Sequence, residues 1–272
     1  MAAMDERNAP LAMPRECRVW CRAQQYGVTV LDDMAVVDLD WWNHRLAQRG
    51  LAVRLAGRDP DGAPTQHGVA VIARGDLTTA NDTGDGALGE VGVLYAAAAW
   101  LSAHRDRDRA RRFSDVRTPA RLGDAYDAIL TALNACRHPD ALSDPPTGPG
   151  RRRSGWPHAP GVGPTVLSLY CWATHHRTPS DGSATARRGV VCPQLLDQQA
   201  VNSLIHLGWA PDPVVARFTW ARYTRYCHLL HTWAADAGVA PELIEMWLVA
   251  RWRERSAPYS PARGGGISEA PH

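Results

Sequence analysis

Apolar residues recur along most of this chain at the three- to four-residue spacing of a helix face. Residues 26–31 and 69–72 are different, because each is a short continuous apolar segment, and we expect the first to be extended. The pattern therefore predicts a mainly α fold, with two helical lobes and a small irregular or short-strand N-terminal part. The predicted helices cover residues 41–50, 88–103, 119–133, 166–176, 198–207, 214–237 and 241–255.

Turn and breaker residues divide the chain into three parts. We expect residues 1–72 to form a partly irregular N-terminal segment that begins with a loosely attached arm over residues 1–18. Residues 73–256 are predicted to form the helical domain, in which Gly238 caps one helix and Pro241 opens the next. Residues 257–272 are predicted to be a disordered tail.

The composition supports a substantial core and excludes one class of mechanism. The chain has 272 residues, of which 45% are hydrophobic and eleven are tryptophan. It contains no lysine, so all 30 basic residues are arginines, and any mechanism that needs a lysine Schiff base is excluded. Residues 151–256 carry 12 arginines against 7 acidic residues, whereas residues 1–150 carry 17 against 20. A polyanion could be steered to the second part, although a solvated arginine-rich surface gives the same balance.

Six cysteines are too few for a disulfide scaffold in a chain of this length. Cys17 and Cys21 form one close pair without a matching second pair, so we expect no metal site. The longest apolar run, residues 91–101, is too short to span a bilayer, and the N-terminus lacks the apolar core of a signal peptide. These features predict a cytoplasmic protein with no membrane association.

A glycine hairpin, Gly161-Val162-Gly163-Pro164, precedes an apolar helix. Glycines at this spacing permit backbone conformations with positive φ and leave the amides unshielded. Placed before a helix, such amides form an anion site that suits a DNA phosphate. A purely structural turn explains the same residues.

A carboxylate follows later in the chain, at Asp197 in the segment Leu195-Leu196-Asp197. At a helix start this residue would be an N-cap, which is the common role of such an aspartate. Alternatively, the carboxylate could stabilise the positive charge that develops on a sugar when an N-glycosidic bond is cleaved. That chemistry requires the target base to be extruded from the duplex.

The order of these motifs resembles that of the helix-hairpin-helix DNA glycosylase superfamily over residues 73–255. The chain looks like the actinobacterial proteins described as having the 8-oxoguanine DNA glycosylase fold. The resemblance implies that Gly161, Val162 and Gly163 hold a phosphate through their amides and that Asp197 is the catalytic acid. The motifs that carry it are Arg74-Gly75-Asp76-Leu77, the Ala-rich helix with Trp100, the hairpin, Leu195-Leu196-Asp197, and Tyr223-Thr224-Arg225-Tyr226-Cys227 followed by Trp233-Ala234.

Two departures from the superfamily pattern bear on activity. Members with strand-cleaving activity have a lysine at the position that Thr165 occupies here. This protein is therefore expected to be monofunctional or to have lost the chemistry. The segment between the hairpin and Asp197 is also long, because of the polar insertion at residues 176–189, which must loop out for Asp197 to reach the cleft.

Further candidates follow from their positions near these motifs. Thr165, Gln198, Arg222 and Arg225 are predicted to contact DNA, and Trp172 and Tyr226 to line a base pocket. Each also has a structural explanation, such as packing for the aromatic residues and solvation for the arginines. We expect no cofactor, leaving open a monovalent cation at the hairpin, and we expect a monomer that binds double-stranded DNA.

The leading hypothesis is a monofunctional DNA glycosylase that removes an oxidised purine. Two alternatives remain open. One is a non-catalytic nucleic-acid-binding module on the same scaffold, with a regulatory or defence-related role. The other is a helical interaction protein in which the glycine turn is only structural.

Overall fold

A computed structural model describes residues 11–79, 89–107, 122–137, 154–176, 191–209 and 214–256. These residues are mostly helical, with one small antiparallel sheet, which confirms the mainly α fold class. The predicted tail at 257–272 and most of the polar insertion lie outside the described residues. The division of the chain at residue 73 stays a prediction, although that boundary falls inside a strand.

The sheet has four strands: β1 (Met34–Asp38), β2 (Gly57–Arg58), β3 (Pro64–Thr65) and β4 (Val69–Ala73). Their order is β1-β4-β2-β3, and β1 pairs with β4 in antiparallel register from Met34 opposite Ala73 to Asp38 opposite Val69. Alternate residues of β1 are buried, as the two-residue period of a strand requires. Helix α4 covers this strand on the core side.

The structure corrects two predictions in the N-terminal part. Within the predicted loose arm, helix α1 (Arg15–Ala23) begins at Arg15 and buries Cys17 and Cys21. Residues 27–31, expected to be extended, form a short π-helix that contacts α9. The β-branched run Val28-Thr29-Val30 favours a strand by local propensity, but packing against α9 overrides that preference.

Most of the remaining elements are helices. They are α2 (Leu39–Ala47), α3 (Asp76–Thr79), α4 (Gly89–Ala103), α5 (Leu122–Arg137), α6 (Pro164–His175), α7 (Gln198–His206), a 3₁₀ turn (Val215–Arg217), α8 (Trp220–Ala237) and α9 (Pro241–Ser256). Gly238 has φ +69° and caps α8, as predicted, and α9 begins at Pro241. The α8 helix starts at Trp220 rather than at residue 214, because Thr219 caps it. The predicted start of α5, Pro119, lies outside the described residues.

Helices α4, α6, α7 and α9 form the centre of the molecule. The α7 helix packs against α9. The α4 helix is buried continuously from Val91 to Leu101 and packs against α6. Small alanines along α4 allow this close approach. In the part of the chain that the structure describes, no helix combines the length and the apolarity needed to cross a bilayer. All six cysteines are free thiols.

Candidate functional site

The glycine hairpin opens α6 without a side-chain cap. Gly161 has φ +75°, which glycine adopts without strain, and Val162 is buried beneath the turn. Gly163 is the N-cap residue and Pro164 occupies the first turn. A Cβ built on Gly163 would meet no heavy atom within 4 Å. The first turn of α6 therefore has no side-chain cap at the positive end of the helix dipole.

Asp197 is the N-cap of α7, as the structural interpretation of the sequence predicted. Its Oδ1 atom accepts a hydrogen bond from the Gln199 amide at 2.7 Å. The Oδ2 atom lies 3.3 Å from Nη1 of Arg107. The side chain is only 2% exposed. Asp197 thus combines a capping role with a buried ion pair.

A hydrogen bond connects the Asp197 segment to the helix that the hairpin begins. The Leu196 amide donates to Ser168 Oγ at 2.9 Å, and Ser168 Oγ donates to the Thr165 carbonyl at 2.7 Å. Ser168 lies five residues after Gly163, which is about 7.5 Å along a helix axis. Asp197 is therefore held close to the second turn of α6.

Two tyrosines of α8 fix the same segment from the other side. Tyr223 Oη donates to the Gln194 carbonyl and Tyr226 Oη donates to the Leu195 carbonyl, both at 2.9 Å. Both tyrosines are completely buried. In this arrangement the Tyr226 hydroxyl holds the backbone that leads to Asp197.

Arg107 is the centre of a buried network of charges that sequence reasoning missed. It donates to Asp33 Oδ2 at 3.0 Å and to Glu245 Oε1 at 2.5 Å, besides its contact with Asp197. Glu245 Oε2 also accepts from Nη1 of Arg74 at 2.8 Å. His104 completes the cluster through Nε2, 2.6 Å from Asp33 Oδ1.

Local sequence patterns could not have revealed the network, since Arg107 is separated from Asp33 by 74 residues and from Glu245 by 138. The one signal was the motif that contains Arg74. Sequence analysis used that motif for the resemblance and gave Arg74 no role of its own.

The network acts differently on its two aspartates. Burial opposes ionisation of Asp33, but Arg107, His104 and Arg74 outweigh it and hold the pKa of Asp33 well below its usual value. Burial raises the pKa of Asp197, Arg107 opposes that rise, and the negative charge of Glu245 adds to it. The two carboxylates share one arginine, but ionisation costs more at Asp197 than at Asp33.

The other candidate residues lie in three different surroundings. Trp172 is buried, donates from Nε1 to Glu242 Oε1 at 3.0 Å, and has the Arg74 guanidinium 4.2 Å from its ring centre. Gln198 accepts from the Val215 amide and donates to Asn202 Oδ1. Thr165 supplies its carbonyl to Ser168.

The two arginines of α8 are distinct from each other. Arg222 lies over the rings of Phe218 at 4.4 Å and Trp209 at 5.3 Å, whereas Arg225 is exposed. The structure thus brings the hairpin helix, Asp197 and Tyr226 together, and it links Trp172 to the network through Arg74.

In the ranges that the structure describes, no three His, Cys, Asp or Glu side chains are grouped so that they could hold a metal ion.

Comparison with known proteins relates the chain to a family. The model of a protein family, described as "Putative 8-oxoguanine DNA glycosylase OGG-like protein", matches residues 28–249. No curated protein and no solved structure matches the chain. The match confirms the resemblance to 8-oxoguanine glycosylase-like proteins, and it extends that resemblance to β1 and the rest of the sheet. Since the match covers most of the chain, the protein belongs to this OGG-like family, whose description implies DNA binding of the glycosylase type.

Proposed function

We propose that the protein is a monofunctional DNA glycosylase that hydrolyses the N-glycosidic bond of a damaged purine, with an oxidised purine as the first candidate. The observation that carries this proposal is the hydrogen bond from the Leu196 amide to Ser168 Oγ. It fixes the segment that ends in Asp197 to the helix that begins at the glycine hairpin. A carboxylate and a phosphate-binding turn are then within reach of one nucleotide.

DNA binding in this proposal uses the backbone of the hairpin and the arginines of α8. The Gly161 and Gly163 amides would donate to a phosphate, with Thr165 beside them. The predicted role of the Val162 amide is not retained, because that amide donates to the Ala159 carbonyl at 3.2 Å, and Pro164 has no N–H to offer. Arg225 is exposed and can neutralise a phosphate. A monomer bound to double-stranded DNA is sufficient for this arrangement.

Asp197 would supply electrostatic stabilisation of the reaction. As the bond between the base and C1′ breaks, the base leaves with the electron pair and takes up a proton, and positive charge develops on the sugar. The Asp197 carboxylate stabilises that charge, and water then adds hydroxide at C1′ to give an abasic site. The side-chain amide of Gln198, the next residue, already bonds to the Val215 amide and to Asn202 Oδ1, so Gln198 would support this segment rather than hold the water. Trp172 and Tyr226 would border the extruded base.

In the structure, Arg107 is the positively charged partner of Asp197. Its contact with Asp197, at 3.3 Å, is longer than its contacts with Asp33 at 3.0 Å and Glu245 at 2.5 Å. Arg107 can therefore release Asp197 and remain paired. A sugar cation can then take the place of the guanidinium beside Asp197. Arg107 keeps its ion pairs with Asp33 and Glu245, and Asp197 gains a new positive partner.

The absence of lysine determines the product. Strand cleavage through a Schiff base requires an amine, and the chain has threonine at residue 165 and no lysine elsewhere. The product is therefore an intact strand that carries an abasic site.

The test is incubation of the full-length chain with duplexes that carry single lesions, including 8-oxoguanine and hypoxanthine, followed by alkali. We expect breaks only after alkali with the wild type and with Asp236→Asn, an exposed aspartate of α8 that serves as the matched control. Asp197→Asn should give none. Absence of breaks across the panel from a folded wild type would reject the proposal.

One observation favours a second candidate, a non-catalytic DNA-binding module. Asp197 is only 2% exposed, and both of its oxygens already have partners. A purely structural aspartate has this environment. The module predicts salt-dependent duplex binding that is unchanged in Asp197→Asn, with no excision of any lesion.

A further inference from the structure

Arg74 has one edge of its guanidinium without a partner, deep inside the protein. Its side chain is fully buried, and Nη1 is fixed by Glu245 Oε2 at 2.8 Å. The Nε and Nη2 atoms have no hydrogen-bond partner among the described residues. These two N–H groups lie side by side and point the same way, so they form a fork that fits two adjacent acceptors. Buried donors without partners are rare, since leaving them unpaired is costly.

A second buried polar atom without a partner in the described ranges lies next to Trp172, the side chain on which Arg74 stacks. The Arg74 guanidinium is 4.2 Å from the ring centre of Trp172, and the ring of His176 is 4.7 Å from it. His176 also stacks on Tyr26 and lies 3.7 Å from Glu242. Its Nε2 atom is buried and without a partner in the described part of the chain. Aromatic faces and unsatisfied polar atoms are the two components of a pocket for a planar heterocycle.

This location is two side chains away from Asp197. Glu245 connects Arg74 to Arg107, and Arg107 contacts Asp197. A base at the Arg74 fork would therefore be connected to Asp197 through only these two side chains.

The charges nearby favour a neutral occupant over an anion. Four carboxylates lie in the contact network of Arg74 and Arg107: Asp197, Glu242 and Glu245 are buried, and Asp33 is 11% exposed. A phosphate or a carboxylate would add negative charge to a group that already has an excess of acidic side chains. A neutral base that offers two acceptors satisfies the fork without that repulsion.

We propose that Arg74 is a specificity-determining residue, which donates from Nε and Nη2 to O6 and N7 of an extruded 6-oxopurine. This inference rests on the proposed function and names its class of substrate. Arginine is the side chain best suited to that pair of acceptors. Adenine keeps the N7 acceptor but places an amino donor at C6, so it satisfies one N–H group of the fork and opposes the other.

The fork also ranks bases within the 6-oxopurine class. Hypoxanthine offers acceptors at both O6 and N7 and uses both donors. 8-Oxoguanine keeps O6 but carries a hydrogen on N7, so it satisfies one donor and opposes the other. The expected affinity is highest for hypoxanthine and lower for both 8-oxoguanine and adenine-derived bases, so the fork favours a deaminated purine over the oxidised purine considered first above.

The experiment separates recognition from catalysis by the use of 2′-fluoro nucleotides, whose glycosidic bonds resist hydrolysis. Duplexes carry 2′-fluoro inosine or 2′-fluoro adenosine opposite an abasic analogue, so that neither base has a pairing partner. We expect the full-length wild type to bind the inosine duplex about 10- to 100-fold more tightly, the range for a bidentate arginine contact. Arg74→Lys keeps the charge that faces Glu245 but lacks the fork, and it should remove the difference. Arg253→Lys, at an exposed ion pair, is the matched control and should retain it.

The outcomes distinguish the two proposals. Equal affinity of the wild type for the two duplexes would overturn the role of Arg74, whether or not the variant folds. So would a preference that survives in folded Arg74→Lys. If the preference is present and lost in Arg74→Lys, but hydrolysable lesions give no abasic sites, recognition by Arg74 is supported and the glycosylase proposal fails.

Discussion

Arg107 donates a hydrogen bond to Asp197 at 3.3 Å, with 1% and 2% of the two side chains exposed. The same guanidinium holds Asp33 and Glu245, so one arginine compensates three carboxylates from distant parts of the chain. Asp197 is the member with the longest contact, and its ionisation is disfavoured by burial. This relationship makes Asp197 the carboxylate that the network can most easily release.

Replacement of Asp197 by asparagine should not destabilise the protein at neutral pH. Asparagine is as good an N-cap as aspartate, and the variant removes a carboxylate whose folded-state pKa is raised above the ordinary 3.8. A raised pKa means that ionisation of Asp197 reduces the stability of the wild type as the pH rises from 3.8 through the folded-state value. The variant should therefore match or exceed the wild type at pH 7.5, and the difference should shrink towards acidic pH.

Urea denaturation of both proteins at a series of pH values measures this difference. A fall of several kcal/mol in the unfolding free energy of Asp197→Asn at pH 7.5, on the scale of a broken buried ion pair, would contradict the prediction.

Loss of Arg107 should have the opposite effect. Arg107→Met leaves three buried carboxylates facing one another, and removal of one partner from a buried ion pair costs about 3–5 kcal/mol. The pKa of Asp33, now held low by Arg107, should rise, so that part of the loss should be recovered as the pH falls and the carboxylates take up protons.

The control for this change is Arg253→Met, which removes an exposed ion pair with Asp106 and should cost at most about 1 kcal/mol. Equal effects of the two variants on urea denaturation would show that the buried network has no special role in stability.

The hairpin glycines should differ in what they tolerate. Gly161→Ala forces a side chain into a left-handed conformation and should cost about 1–2 kcal/mol. Gly163→Ala meets no neighbouring atom and should keep the wild-type stability, but it adds a methyl group at the proposed phosphate-binding turn. Duplex affinity of Gly163→Ala, measured by fluorescence anisotropy, should fall.

Gly27→Ala is the matched control for Gly163→Ala, because its added Cβ also meets no atom within 4 Å. Duplex binding of Gly163→Ala equal to that of Gly27→Ala would mean that the hairpin amides hold no phosphate.

Arg222 and Arg225 should separate stability from DNA binding. Arg225 is exposed, so Arg225→Ala should leave stability unchanged and reduce the slope of log K against log salt by about 0.9 if it contacts one phosphate. Arg222→Ala loses its stacking on Phe218 and should lower the unfolding free energy by about 0.5–1 kcal/mol. Salt titrations of duplex binding and thermal unfolding of both variants distinguish the two roles. An unchanged salt slope in Arg225→Ala would remove this residue from the proposed DNA interface.

Local sequence patterns were sufficient for most helices and for their ends. Helical periodicity predicted the core helices, and Gly238 and Pro241 marked the junction of α8 and α9. The N-cap role was one of the two interpretations of Asp197 that the sequence offered, and the structure shows it. These features depend on residues a few positions apart, so a single sequence contains them. The same patterns failed for residues 27–31, where contact with α9 decides the conformation.

By itself, the sequence determined the helical scaffold, the hairpin with its two glycines and the absence of any lysine for a Schiff base. Only the tertiary structure decided which charges face one another. Arg107 lies 90 residues from Asp197 and 138 from Glu245, and no periodicity relates positions so far apart. The buried interior brings them together because a charge that has left water must find a partner there, wherever in the chain that partner is placed.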